Sequence, residues 1–426
     1  MIADVISDVL AHGVGGRQDL PIPFEYALAG ALVALVATFI ILTRSWPRSK
    51  FRGAAAGRPL PSRLASAMDA RPTRVVLRVL GLGLFAWIVA ELLFGDRLGR
   101  DNAAPGMLYV WIWVGVPLLS MLFGPVWRLI SPMRTIHAGL SRLVGQNPSQ
   151  GMRVMPQRWG LWPGAAALLV FVWLELVPES RGDVPIVGMA VAVYAAYALL
   201  GGLMFGDEWF ARADPFEVYS TLASRLSPLG RRDDGKLVLR NPFDGLDATP
   251  IVPGLAAVVV VLLGSTAFDS LSSAPQWVSL TQESGSKVLW GTLGLLGWVV
   301  VVGACYVVCS RKPGQFAHSI VPIALGYVVA HYYSLIILEG QRTFILATRG
   351  GENTGLAVLD MTLVYPAFVA ALQVIAVVAG HITGAVAAHD RATRVYPPGK
   401  VMAGQLPLLL LMLAYTYTGL TLLFAA

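Results

Sequence analysis

Apolar runs of about 20 residues recur along the whole chain, separated by shorter stretches rich in Arg, Asp, Gly and Pro. Each run is long enough to cross a hydrocarbon core of roughly 30 Å as a helix, the one local structure that satisfies its own backbone hydrogen bonds in lipid. The pattern predicts ten spans, at 21–43, 75–95, 105–125, 160–177, 183–205, 250–268, 287–309, 316–337, 363–387 and 403–425. The expected fold class is all-α, a polytopic transmembrane helix bundle. It divides into an N-terminal tail at 1–20, a first membrane half at 21–205, a connecting loop at 206–249 and a second membrane half at 250–426.

Composition points the same way. Hydrophobic residues make up 56% of the chain and charged ones only 13%, a balance that a soluble domain of this length would not tolerate. The lipid bilayer is therefore the first partner. The net charge of +7 does not indicate nucleic acid, because the basic residues fall in alternate loops and not in one patch.

The first loop carries Arg44, Arg48, Lys50, Arg52, Arg58, Arg63, Arg71 and Arg74, and basic loops recur at 128–158, 212–240, 311–312 and 391–400. The intervening loops near 96–104, 178–182, 269–286 and 338–362 are poor in Lys and Arg. By the positive-inside rule the basic loops are cytoplasmic. Both termini are then expected outside, in a multi-pass protein of the cell membrane. The first twenty residues lack a basic start and contain Asp4 and Asp8, so they read as an exported tail and not as a cleaved signal. Segment 124–143 reads either as an interfacial helix or as a plain linker. Its His137 is expected on the solvated surface.

An ionisable group at membrane depth costs a few kcal/mol, about 2.5 to 3.5 on insertion scales, and so asks for a partner or a purpose. The predicted topology puts Glu25, Glu91, Glu175 and His331 at one level near the outer side, with His12, Glu339 and Arg342 nearby. Imidazole and carboxylate suit a divalent metal such as Zn, Cu, Fe or Mn. On this reading His12 and His331 are metal ligands, and Glu91, Glu175 and Glu339 are catalytic carboxylates. Tyr327, His331 and Ser334 share one helix face and form a polar stripe. The plainer reading is that the carboxylates meet headgroups or nearby arginines, and that His331 is hydrogen-bonded across helices.

A second group, His318, His381 and His389 with Cys305 and Cys309, lies toward the inner side. His318 and His381 are candidate haem ligands, and the cysteines with His318 a candidate soft-metal site. Ordinary helix contacts account for the same residues. No Walker, Rossmann, nucleophile-elbow, kinase or HExxH pattern stands at a usable place, which removes the common soluble-enzyme classes.

Three stretches carry a resemblance: AHGVGGRQDLPIPFEYALAGA at 11–31, AHYYSLIILEGQ at 330–341 and GHITGAVAAHDRATRVYPPGKVMAGQLPLLLLMLAYTYTGLTLLFAA at 380–426. They are similar to bacterial, especially actinobacterial, membrane proteins of the fenitrothion hydrolase-like family. The resemblance covers under a quarter of the chain and implies hydrolysis of an organophosphate ester by a membrane-embedded enzyme, with no catalytic motif to carry over. Two further functions fit the same residues. One is a transporter of a metal ion or small solute, and the other is an accessory, haem-bearing subunit of a membrane complex.

Overall fold

The computed structural model describes residues 16–283, 285–350 and 359–424. Among these, ten helices are long and apolar enough to cross a membrane: α1 Phe24–Ser45, α2 Arg71–Phe94, α3 Ala103–Phe123, α4 Gln157–Leu176, α5 Val184–Phe205, α6 Leu255–Ser272, α7 Lys287–Ser310, α8 Pro313–Arg349, α9 Pro366–Val395 and α10 Val401–Leu423. The chain is an all-α polytopic bundle and an integral membrane protein. Proline stands in the first turn of α2, α5, α8 and α9, where its missing N–H is one that no helix would use.

The helices are not equivalent. In α6 and α8 61% of the most apolar window is buried by protein, against 11% in α2 and 17% in α7. The first pair forms the centre, and the second pair turns most of its surface to lipid. The α8–α9 contact is a close one. A Cβ on Gly380 would lie 2.5 Å from the Pro322 carbonyl oxygen, and one on Gly326 2.5 Å from that of Ala376. Only glycine permits this backbone approach, which replaces the absent hydrophobic driving force between helices in lipid with close packing.

Both described ends lie at one face. Arg17 Nε donates to the Phe424 carbonyl at 2.9 Å, and the Phe24 and Phe424 rings are 5.5 Å apart. At this termini face α8 is longer than the predicted span, because Leu338, Thr343 and Leu346 stay buried and Thr343 packs against Gly106 of α3. Glu339 and Arg342 are therefore helical residues and do not follow the helix. Within α3, Met107–Gly115 is a π-helix, the wider turn that often marks functional sites.

The opposite, basic face is capped by folded segments. Strands β1 Arg58–Pro59, β2 Leu229–Arg231 and β3 Leu237–Leu239 form an antiparallel sheet in the order β1-β3-β2, with Arg58 opposite Leu239 and Gly230 opposite Val238. Asp390, fully buried near the end of α9, accepts from Trp46 Nε1 at 3.0 Å, Ser49 Oγ at 2.7 Å and the Lys50 amide at 2.7 Å. His389 bridges Gln405 Oε1 and the Trp46 carbonyl. These bonds tie the end of α1 to α9 and α10.

His137 corrects the sequence expectation. It is 6% exposed, with its ring 5.4 Å from that of Phe210. The helix Pro132–Leu143 that carries it packs Met133 against Ala198 and Phe210, so the face expected in solvent is covered by the 206–249 connection. Burial pushes the His137 pKa down.

Candidate functional site

The connection after α5 does not stay at the surface. Helix Asp207–Ala213 leads into a second helix, Pro215–Ala223, in which every residue but Thr221 is buried. Asp214 makes the turn between them. Its Oδ1 accepts from the Phe216 and Glu217 amides at 2.9 and 3.2 Å, an N-cap preceding a first-turn proline. Its Oδ2 accepts from Tyr194 Oη at 2.8 Å and Trp127 Nε1 at 3.2 Å. Burial first, and the neighbouring Glu217 charge second, raise Asp214 to about 6. Glu217 is 1% exposed and meets Arg134 through two bonds, Nη2 at 2.8 Å and Nε at 3.1 Å. Arg134 continues to Asp207, whose side chain is 48% exposed. This connection brings a chain of charge from the basic face into the bundle.

Further in, the Tyr219 ring lies 5.1 Å from the Trp113 ring of the α3 π-helix. Ser220 Oγ and Ser120 Oγ are 2.8 Å apart. Since the Ser120 hydroxyl donates to the Val116 carbonyl at 2.7 Å, Ser220 is the donor of the pair, and it accepts in turn from the Trp127 amide.

Near the termini face the last turns of α6 carry Phe268-Asp269-Ser270, and α8 carries Tyr327, His331 and Tyr332. The spacing 327 to 331 puts Tyr327 and His331 on one face, and their rings stack at 5.9 Å with 22° between planes. His331 Nε2 lies 2.9 Å from Asp269 Oδ2. The same oxygen accepts from Tyr332 Oη at 2.8 Å, and that hydroxyl lies 3.4 Å from Glu175 Oε1 on α4. Tyr327 Oη is hydrogen-bonded to Ser270 Oγ. Trp113 and Arg181 adjoin Glu175, and Tyr219 lies within electrostatic range of both Glu175 and Tyr332. Two carboxylates, an imidazole and two phenols thus meet between α4, α6 and α8, with Tyr219 of the helix Pro215–Ala223 nearby.

No family model, curated protein or solved structure matches this chain.

Of the predicted residues, His331 and Glu175 belong to this cluster. Glu91 does not join it: its carboxylate lies by Gly95, and its carbonyl accepts from Asn102 Nδ2. Glu339 is two turns, about 12 Å, further along α8 than His331, and pairs with Arg342 at 3.5 Å. His12 lies outside the described residues. Among the described residues no group of three His, Cys, Asp or Glu side chains could hold a metal ion.

The haem candidates are not brought together. His318 Nε2 contacts the Ala387 carbonyl at 3.3 Å, and His381 Nδ1 the Val377 carbonyl of its own helix at 2.8 Å. Six residues of α9 separate Ala387 from His381, about 9 Å along the axis and well round to another face. Cys305 is exposed on α7.

Asp269 is the partner that sequence reading missed. The sixth apolar run ends at Phe268, which puts Asp269 in the following loop, whereas α6 continues to Ser272. A carboxylate one residue past an apolar run, like Glu175 near the end of α4, was the available signal. Tyr219 and Asp214 gave none, because their loop reads as polar and only folding inserts it.

Proposed function

We propose that this protein is a transporter that moves protons or a small cation across the cell membrane, with the basic face cytoplasmic and the termini outside. The supporting observation is the two groups of buried polar side chains stacked through the bundle. On the basic side Arg134 and Glu217 pair behind Asp207, beside Asp214 with Tyr194 and Trp127 and beside the Ser120–Ser220 pair. Toward the termini face lie Glu175, Tyr332, Asp269 and His331, with Tyr219 between the two groups in electrostatic range of Glu175. Ionisable groups at such depth are expensive, and chains of Asp, Glu and His mark ion and proton routes. A carboxylate against the imidazole, with a second carboxylate and two phenols beside it, suits a positive cargo.

The hydrolase implied by the resemblance would draw on the same His331–Asp269 pair, with a metal-bound water as nucleophile. The geometry lends it less support, since His331 has one carboxylate neighbour and no third ligand among the described residues.

The test is flux into proteoliposomes under an imposed membrane potential, read with an internal pH dye. Wild type should acidify or alkalinise the lumen and Asp269→Asn should not. Equal rates in both, or no flux in wild type with protons or monovalent or divalent cations, would overturn the proposal.

A further inference from the structure

A second site stands apart from the His331–Asp269 cluster. At the basic face a crevice of about 710 Å³ lies between the starts of α2 and the helix Pro132–Leu143 on one side and the β2–β3 hairpin on the other. Eight arginines line it against two carboxylates, Asp69 and Asp207. Both carboxylates are already engaged: Asp69 pairs with Arg231, and Asp207 with Arg134. Arg78, Arg128, Arg225 and Arg240 form no ion pair with any described residue. Arg225, whose Nη1 donates to the Ala248 carbonyl at 3.2 Å, and Arg240 both border Gly245. A Cβ on Gly245 would lie 2.2 Å from the Arg225 carbonyl oxygen and 3.1 Å from Arg240 Nε, and the Nε atoms of both arginines are buried without a hydrogen-bond partner.

The positive-inside rule explains arginines at this face but not this arrangement. Orientation needs charge near the membrane, and exposed, solvated side chains supply it at least cost. Here guanidinium groups converge on a concave volume and two of them are partly withdrawn from water beside a like charge, a configuration that stands only at a cost. Burial and the Arg240 charge together push Arg225 down to about 10. An anion with several oxygens in the crevice would relieve both the repulsion and the unmet donors, and arginine is the side chain whose planar fork matches phosphate.

We propose that this crevice binds a phosphate-bearing anion, held by Arg225 and Arg240 at its base and by Arg78 and Arg128 at its rim. The ligand chemistry is a phosphate mono- or diester, which is supplied either by a free phosphate or by the headgroup of an anionic phospholipid at the inner leaflet. This inference rests on the crevice alone and does not depend on the transport reading.

The experiment uses the full chain in nanodiscs. One arm titrates inorganic phosphate into protein held in neutral phosphatidylcholine and reads the unfolding temperature. The other compares phosphatidylcholine with phosphatidylglycerol discs without added phosphate and counts retained lipid by native mass spectrometry. A saturable rise in the first arm identifies free phosphate, and retained phosphatidylglycerol with a raised unfolding temperature in the second identifies the lipid. In either case Arg225→Gln should weaken binding by about tenfold, the worth of one charge-assisted contact. Should that variant fail to fold, the rim variants Arg78→Gln and Arg128→Gln carry the same expectation in milder form. No response in either arm, or a response that Arg225→Gln and the rim variants leave unchanged, would overturn the proposal.

Discussion

His331 Nε2 on α8 and Asp269 Oδ2 on α6 lie 2.9 Å apart, and the imidazole side chain is only 11% exposed. On the transport proposal the two groups act as a unit. His331→Gln and Asp269→Asn should each abolish flux, and the double variant should be no worse than either alone. In thermal unfolding of the detergent-purified protein, the double-mutant cycle should give a coupling of about 0.5–3 kcal/mol. Strict additivity would show that the pair does not operate as one.

On the proposed route Tyr219, its ring 5.1 Å from that of Trp113, stands between the Arg134–Glu217 pair and the Glu175–Tyr332–Asp269 cluster. Tyr219→Phe keeps the ring against Trp113 and removes only the hydroxyl. We expect an unchanged unfolding temperature with a large loss of proton flux. Flux equal to wild type would exclude the hydroxyl from the route.

Arg134 and Glu217 form a buried pair, with side-chain exposures of 10% and 2%. Arg134→Met leaves a carboxylate buried without its counter-charge and should destabilise the protein by about 3–5 kcal/mol. Adding Glu217→Gln to that variant should restore part of the loss, which unfolding midpoints would read directly.

Asp214 is raised to about 6, against roughly 4 for an unfolded aspartate. Between those values the folded state holds a proton that the unfolded chain has released, so the cost of burying this carboxylate is relieved as pH falls through 6 and returns as pH rises. The full effect is about 3 kcal/mol. The wild-type unfolding midpoint should therefore gain at pH 5 relative to pH 7 by more than that of Asp214→Asn. Parallel profiles for the two proteins would refute the assignment.

Gly380 has no room for a side chain against the Pro322 carbonyl. Gly380→Ala should cost about 1–3 kcal/mol through overpacking and lower the unfolding temperature. An equal substitution at Gly297, where no neighbour lies within 4 Å, should not.

The apolar runs by themselves determined that ten helices form and where most of them lie, because the length a bilayer demands is written in local composition and needs no partner. Alternating charge determined which loops share a face for the same reason. Where helix ends are set by contacts with other helices, local composition ran out: α8 reaches Arg349 because Leu338, Thr343 and Leu346 pack against neighbours, and α6 reaches past Asp269. His331 and Glu175 were legible as costly residues at depth, but Asp269 as the imidazole's partner was decided only by how α6 and α8 pack. The insertion of Pro215–Ala223 lay furthest from the sequence. Its Asp, Glu, Tyr and Ser residues read as an ordinary polar loop, and only tertiary structure could bury them, because the partners that satisfy them, Arg134, Trp127, Tyr194 and Ser120, come from four separate helices.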